Sequence, residues 1–282
     1  MRFEKWQALG NDYIIVERDR LPFALTPPRV RRLCDRNHGI GSDGILELAP
    51  PDADGFVARL RILNPDGSEA ELSGNGAREA VMYLRRAGWT DRRQFSIQTA
   101  AGEIRPTILD DTTCTLDMGR ARLQSPDFPA GPPDGRGELE AAGHAWAFQH
   151  VQVGNPQCAI HVPDADALEA LDLPAIGPGL EHHPNFPNRT NVSFFRALAD
   201  DRIRARIFER GVGETSASGT GASGAAIAHV LRGGDSPVTV ELDGGELVVD
   251  VDESLLFTLT GWAVPVFAGE LSAALLADLE AL

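Results

Sequence analysis

Alternating or β-rich runs, the pattern of strands with one buried face, occupy residues 13–16, 45–48, 56–63, 95–99, 103–109 and 112–118. Glycine, aspartate and proline signals separate them. Two stretches have helical spacing instead. Residues 28–36 follow a candidate cap at Thr26 with prolines at the start, and residues 75–86 put Ala77, Ala80, Val81 and Leu84 on one face. The segment 124–137, rich in Pro, Gly and Asp, breaks all periodicity and is the expected linker or lobe boundary. Beyond it the plan returns, with strands expected at 145–153, 159–162, 191–195 and 202–208, a helix at 219–231, and strands at 238–242, 247–251 and 255–259.

The return is visible residue by residue. Ser73-Gly74-Asn75-Gly76-Ala77 opens the helix of the first half and Ser218-Gly219-Thr220-Gly221-Ala222 that of the second, 218 − 73 = 145 positions later. Both helices end in similar stops, Arg85-Arg86-Ala87-Gly88 and Leu231-Arg232-Gly233-Gly234. A Gly-x-Gly turn feeding a helix leaves N–H groups unpaired, and the helix dipole adds positive potential there, so such an end holds anions. Two of them converging on one point suit a carboxylate whose neighbouring carbon must lose a proton and carry enediolate-like charge. Taken singly, each serine reads as a helix cap. Their duplication points to a functional pair, one on each side of a substrate carbon.

The 282 residues, 43% of them hydrophobic, suffice for one large or two medium globular domains. With 41 acidic against 26 basic residues and a formal charge of −15, the chain does not suit nucleic acid or anionic membrane surfaces as partners. No stretch has signal-peptide or membrane-spanning character, which leads to a cytoplasmic expectation. Cys34, Cys114 and Cys158 lack metal-site spacing and read as small buried apolar residues. Neither turn carries the Lys-Ser/Thr of a nucleotide P-loop. Gly39-Ile40-Gly41-Ser42-Asp43-Gly44 precedes a strand, so it is a poor dinucleotide fingerprint, and no Gly-x-Ser-x-Gly elbow surrounds Ser73, Ser218 or Ser223.

Gly10-Asn11-Asp12-Tyr13, Cys34-Asp35-Arg36, Gly39 to Gly44 and Asn64-Pro65-Asp66-Gly67-Ser68-Glu69-Ala70 resemble, in order, the N-terminal motifs of the diaminopimelate epimerase family. Gly154-Asn155-Pro156, Thr190-Asn191-Val192, Phe208 to Thr215 and the second Ser-Gly-Thr-Gly turn resemble its C-terminal ones. The resemblance implies an α/β fold of two pseudo-symmetric lobes, each a barrel-like sheet round a central helix, with the ligand in the cleft between them. The lobes are expected at 1–120, joined by a returning tail at 265–282, and at 121–264. It also implies an isomerase that interconverts LL- and meso-diaminopimelate by two-sided α-proton transfer without metal or pyridoxal cofactor, and, by family habit, a homodimer.

By the same resemblance Ser73 and Ser218 stand at the catalytic positions. Asn11, Asn64, Asn155 and Asn191 are similar to substrate-holding amides, and Gly74, Asn75, Gly219 and Thr220 to the turns that meet the substrate. Arg210 looks like the bidentate partner of a distal carboxylate and Glu209 like the acceptor for a distal ammonium. A surface salt bridge is the plainer reading of that pair, and a turn residue the plainer reading of any one asparagine. The family's catalysts are cysteines, and both positions are serine here. The His common after Gly-Asn-Pro is Gln157, and Glu79 and Ser223 depart from the family too, which favours a natural serine branch over a laboratory knock-out. An alcohol is a far weaker acid than a thiol of pKa about 8.5. The alternatives are therefore an amino-acid-binding homologue without turnover, or a different proton-moving isomerase with Glu209 as base.

Overall fold

The computed structural model describes residues 1–70 and 72–282. The chain runs through β1 (Arg2–Ala8), β2 (Asn11–Glu17), α1 (Pro27–Cys34), β3 (Ile45–Ala49), β4 (Ala58–Leu63), β5 (Glu69–Ala70), α2 (Gly74–Arg86), β6 (Ile97–Thr99), β7 (Gly102–Ile108) and β8 (Thr113–Arg120). It continues through β9 (Arg136–Ala141), β10 (His144–Gln152), β11 (Pro156–His161), α3 (Ala165–Glu169), α4 (Leu173–Glu181), β12 (Asn191–Ala199), β13 (Arg202–Glu209) and β14 (Gly213–Thr215). Then come α5 (Gly219–Val230), β15 (Val238–Leu242), β16 (Gly245–Val251), β17 (Leu256–Trp262), β18 (Val264–Glu270) and α6 (Ala273–Glu280). This is a mixed α/β chain of two units, Met1–Leu116 with Gly261–Leu282, and Asp117–Thr260. No helix of the described residues is long and apolar enough to cross a membrane.

The repeat read from two glycine turns extends to the sheets. In the first unit β18, β1 and β2 pair antiparallel in that order, β2 runs parallel to β3, β3 antiparallel to β4, β4 parallel to β6, and β6 antiparallel to β7. In the second, β9, β10 and β11 pair antiparallel, β11 runs parallel to β12, β12 antiparallel to β13, β13 parallel to β15, and β15 antiparallel to β16. The short β5 lies on β4 as β14 lies on β13, each just ahead of its helix. In the first unit the strand beside β1 is the returning β18, whereas in the second it is β9, which comes directly before β10.

Where expectation and structure differ, the cause lies in what a strand or helix buries. The Pro- and Gly-rich stretch 124–137 is no boundary. It lies inside the second unit, where Phe128 packs with Phe148 and Phe186 in the core, and the chain passes between units after Leu116 and again at Gly261. The sequence reading omitted α3 and α4, whose Leu168, Leu173 and Leu180 close that core. It also omitted α6, which sets Leu279 with Val30 and Leu33 of α1 in the core of the first unit.

Both central helices are buried nearly end to end. In α2 every residue from Gly74 to Leu84 is buried, and in α5 Gly219 and Gly221 to His229 are. A helix apolar or small on all sides belongs inside a shell of other elements. The small residues of α5 set its depth, because a Cβ on Gly224 would lie 2.7 Å from the Gln157 Cβ on β11. Alanine is preferred over glycine in a helix by up to about 1 kcal/mol, but overpacking of this kind costs about 1–3 kcal/mol. Gly224→Ala is therefore expected to destabilise the protein in urea unfolding, whereas a gain in stability would show that β11 yields freely.

Two buried ionisable groups set α2 apart. Arg78 and Glu79 are both wholly buried. Burial lowers the Arg78 guanidinium to about 10, so it stays charged, and burial pushes the Glu79 carboxyl well above its usual range against the pull of Arg78. The fold thus keeps the Glu79 proton to higher pH than the unfolded chain, whose carboxyl titrates near about 4.3. This group's contribution to stability is complete below that point and is lost as pH rises through the folded pKa. Glu79→Gln should remove this slope from a series of thermal melts and leave the protein more stable than its parent at pH 8. Superimposable pH profiles would show that Glu79 is a charged partner in the native state.

Candidate active site

Ser73 and Ser218 cap α2 and α5 from the β region, with φ/ψ of −130/121 and −140/122 degrees. Each hydroxyl oxygen accepts from the amide three residues on, Gly76 N at 3.1 Å and Gly221 N at 3.2 Å. Each main-chain carbonyl takes the next amide, that of Ala77 or Ala222. The plain reading as caps is therefore correct for both. The earliest amides, those of Gly74 and Asn75 and of Gly219 and Thr220, are the ones a helix start leaves without intrahelical acceptors.

The two hydroxyls differ in their second partner. Tyr13 on β2 donates its phenol hydrogen to Ser73 Oγ at 3.2 Å, whereas Ser218 donates its own hydrogen to Glu209 Oε2 at 3.0 Å. The Tyr13 ring, only 6% exposed, has its place because of a glycine: a Cβ on Gly44 would come within 2.6 Å of the ring. That explains the last glycine of the Gly39 to Gly44 motif. The motif holds no phosphate loop ahead of a helix but a tight approach ahead of β3.

In the first unit Asn11 bridges two elements. Its Nδ2 donates to Asp43 and its Oδ1 accepts from Asn75 on α2, while Asn75 Oδ1 accepts from Arg78 at 2.6 Å. Arg78 also donates to Gly74 O, so its charge lies directly behind the turn. Asn64 sits apart from this chain of bonds. It closes the turn after β4, bonding Ser68 through both its main chain and its side chain, as a turn asparagine does.

In the second unit Asn155 donates to Thr220 Oγ1 at 3.3 Å, the counterpart of Asn11 with Asn75 (155 − 11 = 144 and 220 − 75 = 145). Gln157 donates to Asn155 Oδ1. Asn191 Oδ1 accepts from the main chain of Arg210 at 2.7 Å, and Glu181 of α4 holds Gly211 N and Arg189. Among the buried polar atoms that find no partner in the described residues are the Asn191 Nδ2 and the Gln157 Oε1, on residues paired across β11 and β12. Buried polar groups are rarely left so, and a donor beside an acceptor is what an amino-acid ligand could satisfy.

Glu209 and Arg210 do not form the salt bridge that their adjacency invites. The Arg210 guanidinium donates to the Asn188 carbonyl and has no carboxylate partner among the described residues. Burial raises the Glu209 carboxyl above the ordinary carboxylate range, and the hydrogen bond from Ser218 draws it partly back. The Glu209 carboxylate, expected to accept a distal ammonium, also accepts the Ser218 hydroxyl hydrogen through Oε2. Spacing alone hides this, because nine residues separate the two. Tyr13, Gln157 and Arg78 were not among the expected site residues. The one signal for Tyr13 was its place in the Gly10 to Tyr13 motif. The thiols stay out of this chemistry: all three are buried and free, and burial raises each, Cys114 to about 12.

Residues 3–124 and 149–261 match the family model described as diaminopimelate epimerase. The chain is 41% identical over 278 residues to a curated diaminopimelate epimerase of Synechococcus sp. (strain JA-3-3Ab), covering 95% of this chain and 97% of that protein. It is 40% identical to that of Laribacter hongkongensis, covering 96% and 99%. Among solved structures, a probable proline racemase from Agrobacterium radiobacter K84 superposes with a TM-score of 0.69 at 16% identity, over 96% of this chain and 93% of that one. A hydroxyproline epimerase from Agrobacterium vitis gives 0.67 at 17%, over 95% and 91%. The structural likenesses bear on the fold, and the sequence matches on the lineage: the chain belongs to the diaminopimelate epimerase family.

Proposed function

We propose that the protein is an amino-acid epimerase that interconverts LL- and meso-diaminopimelate, with Ser73 and Ser218 exchanging the α-proton on its two faces. The observation that carries this reading is the hydrogen bond from Ser218 to Glu209. An alcohol lacks the acidity of the family's thiol, and a carboxylate behind it supplies what is missing. The substrate Cα–H proton passes to Ser218 Oγ as the serine's own proton passes to Glu209, so no free alkoxide has to accumulate on that side. The first amides of α2 and α5 are suited to the substrate's α-carboxylate and to the charge it gains as the carbanion forms.

At the other end of the substrate, Arg210 offers a guanidinium with no carboxylate partner among the described residues for the distal carboxylate. Asn155, Asn191 and Gln157 supply neutral donors and acceptors for the remaining polar groups, and Asn11, Asn75 and Thr220 brace the turns. Asn64 serves by shaping its turn. With this substrate go a role in lysine biosynthesis in the cytoplasm and assembly as a homodimer, the latter checked by light scattering.

Incubation with LL- or meso-diaminopimelate in D₂O is expected to give α-deuterium and interconversion, both lost in Ser218→Ala. Tight calorimetric binding without any deuterium would mean a binding protein instead. Because Glu209 must be ionised to accept a proton, kcat should rise with pH along a limb above the ordinary carboxylate range. Glu209→Gln should erase that limb and lower kcat by about 10²–10⁴. The double variant Ser73→Cys, Ser218→Cys should turn over faster than the parent.

A further inference from the structure

We propose that Tyr13 is a positioning residue that holds Ser73 ready as the proton donor to the carbanion, the reverse reaction retracing the same steps, which makes the two serines unequal. This rests on the epimerase reading for its catalytic consequence but on geometry alone for its cause. Ser73 Oγ already accepts twice, from Tyr13 Oη at 3.2 Å and from Gly76 N at 3.1 Å. Its own hydrogen has no acceptor among the described residues, and that hydrogen is what it can offer a carbanion. Ser218 is the reverse. Its hydrogen is committed to Glu209 and, among the described residues, its oxygen accepts only from Gly221 N, so a lone pair is open to receive a proton.

The chemistry balances with solvent as the only other participant. The Ser73 O–H bond breaks as a C–H bond forms at the substrate's α-carbon, and the O–H electron pair stays on Oγ. The alkoxide so formed is held by the phenol and by the Gly76 amide, or takes the phenol's proton. A phenol, with pKa about 10, is the stronger acid of the two. Water returns this proton after product leaves and takes the one held by Glu209.

The arrangement is not a relic of the repeat. The position matching Tyr13 in the second unit is Gln157 (157 − 13 = 144), and it bonds Asn155 rather than Ser218. Charge follows the same polarity. Arg78 and Ser223 also match (223 − 78 = 145) and bond the equivalent carbonyls, Gly74 O and Gly219 O. Only Arg78 adds a buried positive charge, on the side where an alkoxide is to form.

The test begins without substrate. Ser73→Cys is made in the parent and in Tyr13→Phe, and the introduced thiol is titrated by thiolate absorbance against the parent's three buried cysteines. Loss of the phenol donor should reduce the thiolate fraction at a given pH about tenfold or more, and an unchanged titration overturns the proposal. With diaminopimelate in D₂O, Tyr13→Phe should lower kcat at least tenfold while KM changes less than about threefold, with an unaltered melting temperature. A parent that exchanges α-deuterium beside an equally fast Tyr13→Phe overturns the role of Tyr13 and leaves the epimerase standing. A parent that never exchanges removes the epimerase reading, and the thiol titration alone then decides whether Tyr13 tunes residue 73.

Discussion

A helix buried along its length can keep its first amides in only a few ways, and this constraint organises each unit. In α2 and α5 the serine at the helix start satisfies part of this need. The serine oxygen takes one amide and the serine carbonyl another. The remainder, with the positive end of the dipole behind them, form a site for negative charge. The short strands β5 and β14 pair with β4 and β13 just ahead of each helix.

The requirement is the same in both units, yet it is met with different chemistry. Duplication explains why Asn11 bonds Asn75 as Asn155 bonds Thr220. It does not explain why a phenol stands behind one serine and a carboxylate behind the other. Such differences are what a reaction with a donor side and an acceptor side calls for, and pairs of groups in contrasting environments are how acid and base roles are assigned.

The plan of the fold was legible because its repeated parts have strong local signals. The helix after each Gly-x-Gly turn, the strands ahead of it, and the 145-residue offset all show in composition and spacing. What escaped depends on contacts with no local trace. The strands β1, β9 and β18 earn their place by pairing with partners far along the chain or by one buried face, and α4 contains Pro178 and two glycines that mask its helical period. The 124–137 stretch looked like a linker because turns dominate it, although Phe128 anchors it to a cluster of rings. Site residues followed the same rule. The serines, the asparagines and Arg210 were visible as motif positions. The partnership of Glu209 with Ser218 was not, because β13 and the turn before α5 meet only in three dimensions.

A pair of hydroxyls asks more of its surroundings than a pair of thiols would. A thiol can donate or accept near neutral pH with little help, so it serves either role with the same surroundings. A hydroxyl cannot: one that accepts a proton needs somewhere to pass its own, and one that donates needs its alkoxide held. Glu209, made a better acceptor by the burial that raises its carboxyl, meets the first need. On the proposed reading Tyr13, the Gly76 amide and the buried Arg78 meet the second. In a low-dielectric interior these fixed charges and dipoles act strongly. Under the proposed reading a pair of hydroxyls can divide the work of acid and base because the groups behind them differ, a carboxylate behind Ser218 and a phenol with a buried guanidinium behind Ser73 and its turn.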